Sequence, residues 1–236
     1  MRVFLLLISF ILLSGTPLGS RINPPSAPTI VIDVGHGGTD RGARRNAPYC
    51  EEKKICLQTG KLVQKYLDQL GYHVVMTRST DHFISLPKRV EIAKQANANI
   101  FVSVHYNSSK SPKAKGIEVF FCDDSEKNKT RSRASKKLAS SVLDRVISRT
   151  SARSRGVKTG NFYVIRETVM PAILVEGGFI SNPEERKLLK SQAYQQKIAQ
   201  GVADGIDHYF KERWRNVDKK KNKTRPRQES NLRPVA

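Results

Sequence analysis

Three segments read as buried strands end in groups suited to catalysis. Thr29-Ile30-Val31-Ile32-Asp33-Val34 runs into Gly35-His36-Gly37-Gly38. Ile100-Phe101-Val102-Ser103-Val104 runs into His105-Tyr106-Asn107, and Ala172 to Val175 into Glu176-Gly177-Gly178. A carboxylate pair, Glu51 and Glu52, stands just before the first helix, at the end of the loop that leaves His36. One His on a loop reads as a solvated or hydrogen-bonded side chain. Two, at the ends of two buried strands with small or polar neighbours, point to a shared site. Two imidazoles and a carboxylate that leave one position for water are a usual catalytic zinc set. Such a zinc brings the pKa of its water to about 7 and polarises a carbonyl. Glu176 is then the group that takes the water's proton and hands it to a leaving amine. The chemistry so assembled is amide hydrolysis, with either Glu51 or Glu52 as the ligand.

The elements that must hold these groups alternate strand and helix. Strands are predicted at Thr29–Val34, Tyr72–Thr77, Ile100–Val104, Gly116–Phe121, Phe162–Ile165 and Ala172–Val175. Helices are predicted at Lys54–Leu70, Leu86–Ala96, Arg133–Ile147, Pro183–Lys190 and Ala193–Arg213. The first helix carries Ile55, Leu57, Leu62, Val63, Tyr66, Leu67 and Leu70 at helical spacing, and Gly71 stops it. This alternation predicts an α/β fold: a three-layer α/β/α sandwich around a mostly parallel, six-stranded mixed sheet. In open α/β sheets ligands bind beyond the carboxyl ends of the strands, where the two His and Glu176 lie.

Composition bounds the rest. The chain has 236 residues, enough for one domain with extensions and for a core that needs no disulfides. Its three cysteines, Cys50, Cys56 and Cys122, are too few and too scattered for a disulfide scaffold or a zinc ribbon. A Cys50–Cys56 disulfide is conceivable only after export. Arg2 followed by the apolar run Val3–Leu13 and then Ser14-Gly15-Thr16-Pro17-Leu18-Gly19-Ser20 has the layout of a secretory signal. We therefore expect a signal peptide over 1–20, a linker over 21–27, a catalytic domain over 28–213 and a periplasmic or cell-envelope location. The net charge is +21, and from Lys211 to Ala236 ten Lys/Arg face three Asp/Glu. Residues 214–236 are expected to form a disordered basic tail. Export and the lack of aromatics within the basic run argue against nucleic acid as partner. Attraction to an anionic wall or membrane surface is the more economical expectation, with a merely solvated tail as the equal alternative.

At the site residues the sequence becomes specific. Ile30-Val31-Ile32-Asp33-Val34-Gly35-His36-Gly37-Gly38-Thr39-Asp40-Arg41-Gly42-Ala43 resembles the opening motif of the zinc-dependent N-acetylmuramoyl-L-alanine amidases, the class called amidase type 3. Glu52-Lys53-Lys54-Ile55-Cys56-Leu57 is similar to their Glu-Lys-Asp-Ile-Asn-Leu segment. Phe101 to Asn107 matches their second-histidine strand. Arg155-Gly156-Val157-Lys158 with Phe162 to Ile165, then Met170 to Asn182, match the closing motifs. The resemblance implies one zinc per chain, held by His36, Glu52 and His105, with Glu176 as general acid/base. The substrate it implies is peptidoglycan or a muropeptide, cut between N-acetylmuramic acid and L-alanine, by a monomer. Cys56 replaces the family's usual Asn, and Lys54 its frequent Asp.

Four more residues suit a carbohydrate-peptide substrate. Arg78 and Arg89 could pair with stem-peptide carboxylates, or form structural salt bridges. Asn107 and Asn182 could hydrogen-bond amides. A rival site is also written in the sequence. Ser85-Leu86-Pro87-Lys88 fits Ser-x-x-Lys, and Lys158-Thr159-Gly160 fits Lys-Thr-Gly, two signatures of penicillin-sensitive serine DD-carboxypeptidases. A non-catalytic peptidoglycan-binding module would have lost a ligand or Glu176, and neither is lost. Division-associated amidases of this class carry an inserted helix that plugs the site. The stretch from Asn107 to Arg155 has no residues to spare for one, so an open site is expected.

Overall fold

The computed structural model describes residues 27–46 and 49–224. The signal segment and nearly all of the linker lie outside the described residues, as does the tail beyond residue 224. Six strands form one sheet in the order β4-β1-β5-β8-β6-β7: β1 Thr29–Val34, β4 His73–Met76, β5 Ile100–Asn107, β6 Ile117–Phe121, β7 Ser154–Thr159 and β8 Ala172–Phe179. Within this sheet the one antiparallel pairing is β6 against β8, so β6 and β7, parallel to each other, run opposite to the other four strands. A small hairpin, β2 Arg44–Asn46 and β3 Tyr49–Glu51, leads into α1.

The central strands are β-branched and apolar because both faces of the sheet are covered. On one face Ile30, Ile32, Val34, Val102, Val104, Ile117, Val119, Ile173 and Val175 pack under α1 (Glu52–Gln69), α3 (Ser125–Thr150) and α6 (Gln192–Thr224). Helices α3 and α6 lie unusually close. A Cβ on Gly201 or Gly205 would sit 2.5 Å from the α3 backbone at Val146 or Val142, so these two glycines set the approach. On the other face Val31, Phe101, Ala172 and Leu174 meet only α2 (Leu86–Gln95) and α4 (Tyr163–Glu167). That layer is thin, and the polar residues of the strands, Asp33, Ser103, His105, Glu118 and Glu176, alternate onto it. Helix α5 (Pro183–Leu189) completes the fold.

Three expectations are corrected. Phe162–Ile165 is not a strand: Phe162 caps α4, whose Val164 and Ile165 turn into the thin-side core. The sixth strand is β7, Ser154–Thr159, a polar edge strand. The predicted tail does not begin at residue 214, because α6 continues to Thr224. Cys50 and Cys56 are buried free thiols.

Candidate metal centre

His36 follows the last residues of β1 and has φ +57, a left-handed conformation uncommon for a residue with a side chain. Two buried arginines hold this turn. Arg78 donates to the carbonyls of Val34, Gly35, Lys53 and Thr80. Arg89 donates to the carbonyls of Ile84, Val34 and His36, and to Asp33 Oδ1 at 2.8 Å. Asp33 also accepts from Ser103 and Thr77. Both guanidinium groups are buried and engaged by the protein itself. They satisfy backbone carbonyls at the end of β1, in the turn after it and at the start of α1, which is the structural role that stood as the alternative to pairing with stem-peptide carboxylates.

The turn presents His36 Nε2 to Glu52 Oε1 at 2.9 Å, while His36 Nδ1 meets Asp40 Oδ2 at 2.8 Å. His105, at the end of β5, points Nδ1 at the same Glu52 Oε1, also at 2.9 Å. Glu52 starts α1, and its Oε2 accepts from the Ala43 amide. Glu51 turns away to Arg41 and Lys54. The carboxylate that meets both imidazoles is therefore Glu52. Backbone room is part of the design. A Cβ on Gly35 would overlap the His105 ring, and one on Gly42 would lie 2.6 Å from Glu52 Oε2 and from His36.

Donor atoms of His36, Glu52 and His105 lie within 4.8 Å of one another. Burial disfavours the charged form of Glu52, but hydrogen bonds and attraction from the two imidazoles outweigh it and hold the carboxyl far below its usual range. Burial likewise pulls His36 down, and the Glu52 and Asp40 carboxylates more than offset it, leaving it raised. The hydrogen bonds from both imidazoles converge on Glu52 Oε1, at the position a cation would take. Asp40 is the outer partner that fixes the His36 ring. Two imidazole nitrogens and a carboxylate oxygen fit zinc.

Glu176 pairs with His105 across β5 and β8. Its Oε2 is buried and has no hydrogen-bond partner among the described residues. Burial, then the Glu52 and Glu118 charges, push its carboxyl well above the ordinary range. A protonatable carboxyl without a partner, beside a convergent ligand set, is suited to proton transfer.

The architecture and site have matches among known proteins. Residues 30–208 match the family model described as N-acetylmuramoyl-L-alanine amidase. The chain belongs to that amidase family. It is 39% identical over 194 residues to the protein YqiI of Bacillus subtilis, covering 82% of this chain and 90% of that one. It is 34% identical to the probable cell wall amidase LytH of Staphylococcus epidermidis, covering 80% of this chain but only 60% of LytH. The catalytic domain of the amidase CwlV from Bacillus (Paenibacillus) polymyxa var. colistinus superposes with a TM-score of 0.72 at 39% identity, over 78% of this chain and 98% of that domain. The six-stranded, mostly parallel sheet is the fold of these amidase domains. Membership places the chain's role at the cell envelope. None of its described helices is long and apolar enough to cross a membrane.

The remaining expected site residues are not assembled. Asn107 donates to Glu118 and accepts from the Ser108 amide. Asn182 caps α5, accepting from the Glu184 and Glu185 amides, and donates to the Pro112 carbonyl. Both amides are engaged by the amidase domain itself. The serine site also fails. Ser85 precedes α2, Lys88 pairs with Glu91, and Lys158 lies on β7 at the far edge of the sheet, bound to Glu118. A nucleophile needs its base within reach, and among the described residues no hydrogen bond joins Ser85 to a lysine. The sequence reading missed Asp40 and Glu118. Each had a signal: Asp40 comes four residues after His36, and Glu118 is the lone acid in an apolar strand.

Proposed function

We propose that His36, Glu52 and His105 of this amidase hold one zinc ion, and that Glu176 is its general acid/base in cutting the N-acetylmuramic acid–L-alanine amide of peptidoglycan. The convergence of three donor atoms on one point, next to the unpartnered Glu176 Oε2, carries the reading. Zinc, when bound, supplies polarisation of the scissile carbonyl and acidifies water. The chain's own residues do the rest. Asp40 fixes the His36 ring through Nδ1, and Arg89 and Arg78 fix the turn that carries it. Glu176 takes a proton from the attacking water at Oε2 and returns it to the departing amine nitrogen, a role its raised affinity for protons suits.

The site is open and the chain acts as a monomer without an activator. Side chains of His36 and His105 are 20% and 19% exposed. The stretch that could carry a plug instead forms β6 and α3, whose Leu138, Val142 and Val146 pack in the core. The chain is exported on its Val3–Leu13 segment to a periplasmic or outer-surface compartment. The basic C-terminal segment supplies attraction to an anionic wall or membrane surface. Nucleic acid is not a partner.

Incubation of the chain with a defined muropeptide, followed by mass spectrometry, tests this. Free stem peptide and intact muramic acid are expected with zinc, and none after chelation. Peptide release undiminished in a metal-free preparation would overturn the zinc assignment. Silence of the zinc-loaded chain until a second protein is added would overturn the open site.

A further inference from the structure

Beyond the metal centre the polar row continues along the thin side of the sheet. His105 on β5 pairs with Glu176 on β8, and Glu176 pairs with Glu118 on β6. The next strand, β7, contributes Arg155 and Lys158. Both cations bind one oxygen of Glu118, Oε2: Arg155 Nε at 2.8 Å, and Lys158 through Nζ. The other oxygen, Oε1, accepts from Asn107 at 2.7 Å. Glu118 is buried and fully engaged, and its charge neutralises only one of its two cationic partners.

The surplus charge faces outward. The side chains of Arg155 and Lys158 are 30% and 40% exposed. The Arg155 guanidinium lies 4.9 Å from the centre of the Phe179 ring, which fixes its plane; Nε is bound to Glu118 and Nη1 reaches the Lys115 carbonyl at 3.5 Å, which leaves Nη2, beside the Lys158 ammonium, to meet a second carboxylate. This differs from Arg78, whose three nitrogens all donate to carbonyls. Neighbouring strands are about 4.8 Å apart, so two strand spacings put this pair about 10 Å from Glu176. An extended peptide advances about 3.5 Å per residue, so that distance is two to three residues beyond a cleaved amide.

We propose that Arg155 and Lys158, held by Glu118, form a subsite for a free carboxylate on the stem peptide, just beyond the scissile amide. The subsite rests on the amidase reading and adds to it a preference: the acid form of the peptide over the amidated form. Lys158 thereby acquires a role in peptide selection rather than in a serine site.

The test compares muramoyl-L-Ala-D-Glu, which has a free α-carboxylate, with muramoyl-L-Ala-D-isoGln, in which that carboxylate is an amide, both with the γ-carboxyl blocked as a methylamide so that the α-carboxylate is the one difference. The zinc-loaded full chain is expected to favour the acid by about ten- to hundredfold in kcat/KM, the range for a charge-assisted contact. Lys158→Met and Arg155→Gln should each lower the acid's value and shrink the ratio towards unity. Should Arg155→Gln fail to fold once the Phe179 contact is lost, Lys158→Met on its more exposed side chain carries the test. Equal turnover of both substrates by the unaltered chain overturns the subsite, as does an unchanged ratio in Lys158→Met. Calorimetric binding of L-Ala-D-Glu and of L-Ala-D-isoGln separates the two readings. Tighter binding of the acid, lost in Lys158→Met, with no turnover of either muropeptide, would sink the amidase reading and keep the subsite. Turnover without discrimination in either assay would do the reverse.

Discussion

The two ends of the polar row use cationic side chains in opposite ways. At the β1 end, Arg78 and Arg89 are almost wholly buried, at 1% and 3% exposure, and hold the turn that carries His36. At the β7 end, Arg155 and Lys158 share one carboxylate oxygen and remain open to solvent. The difference teaches that residue type does not decide whether an arginine serves scaffold or substrate. What decides it is how many unsatisfied carbonyls the surrounding backbone leaves. The turn after β1 leaves several. The edge strand β7 leaves few, because one side of it is paired with β6 and the other faces water.

The largest effect is expected between the two ends, at Glu176. Glu176→Gln should lower kcat by about 10²- to 10⁴-fold while zinc content by elemental analysis stays at one per chain. Loss of zinc together with activity would mean that Glu176 belongs to the ligand set. At the scaffold end, Arg89→Met strips the buried Asp33 of its cation and should cost about 3–5 kcal/mol, read by denaturant unfolding. Lys158→Met, at the exposed end, should cost about 1 kcal/mol or less. Equal losses would erase the contrast. Gly35→Ala drives a methyl into the His105 ring and should cost about 1–3 kcal/mol, with weakened zinc retention in dialysis.

A pH experiment reaches the middle of the row. In metal-free protein the folded state raises the Glu176 carboxyl above its ordinary 4.5. The folded chain therefore binds the proton more tightly than the unfolded one. Stability falls as pH rises from about 4.5 through the raised value. Glu176→Gln removes this loss, so its Tm relative to the unaltered metal-free chain should climb between pH 4 and pH 8. A constant difference would show that the buried carboxyl is not the cause. The smallest effect belongs to Ser85. Its side chain makes no cap hydrogen bond to α2, so Ser85→Ala should change stability by about 0.5 kcal/mol or less and leave peptide release intact. Labelled penicillin should not acylate the protein at Ser85.

Much of this was legible before any coordinates. Strands such as Ile30–Val34 and Ile100–Val104 announce themselves because both faces are buried, and the groups at their ends follow from where such sheets place ligands. The edge escaped. Ser154-Arg155-Gly156-Val157-Lys158-Thr159 has no apolar run, since an edge strand packs little. Phe162-Tyr163-Val164-Ile165 has strand-like residues but is too short for its period to separate strand from helix. Its helical state is settled by packing on Phe101 and by Arg131, which donates to the carbonyls of Ile165, Arg166 and Thr168.

The sequence by itself determined the donor types, their order and the strands that end in them, because apolar patterning and local turn chemistry are written residue by residue. Spacing by itself left Glu51 and Glu52 as rivals, with the family motif favouring Glu52, and it offered Arg78, Arg89 and Lys158 without saying what each would meet. Those choices depend on groups 25 to 56 residues away. The phase of α1 against β5 turns Glu52, rather than Glu51, onto His105. The register of β8 on β6 sets Glu118 beside Glu176. Carbonyls gathered from the β1 turn and the start of α1 engage Arg78. Long-range register and burial are properties of the packed sheet, so only the tertiary structure could decide which charges became ligands, which became struts and which stayed open to a substrate.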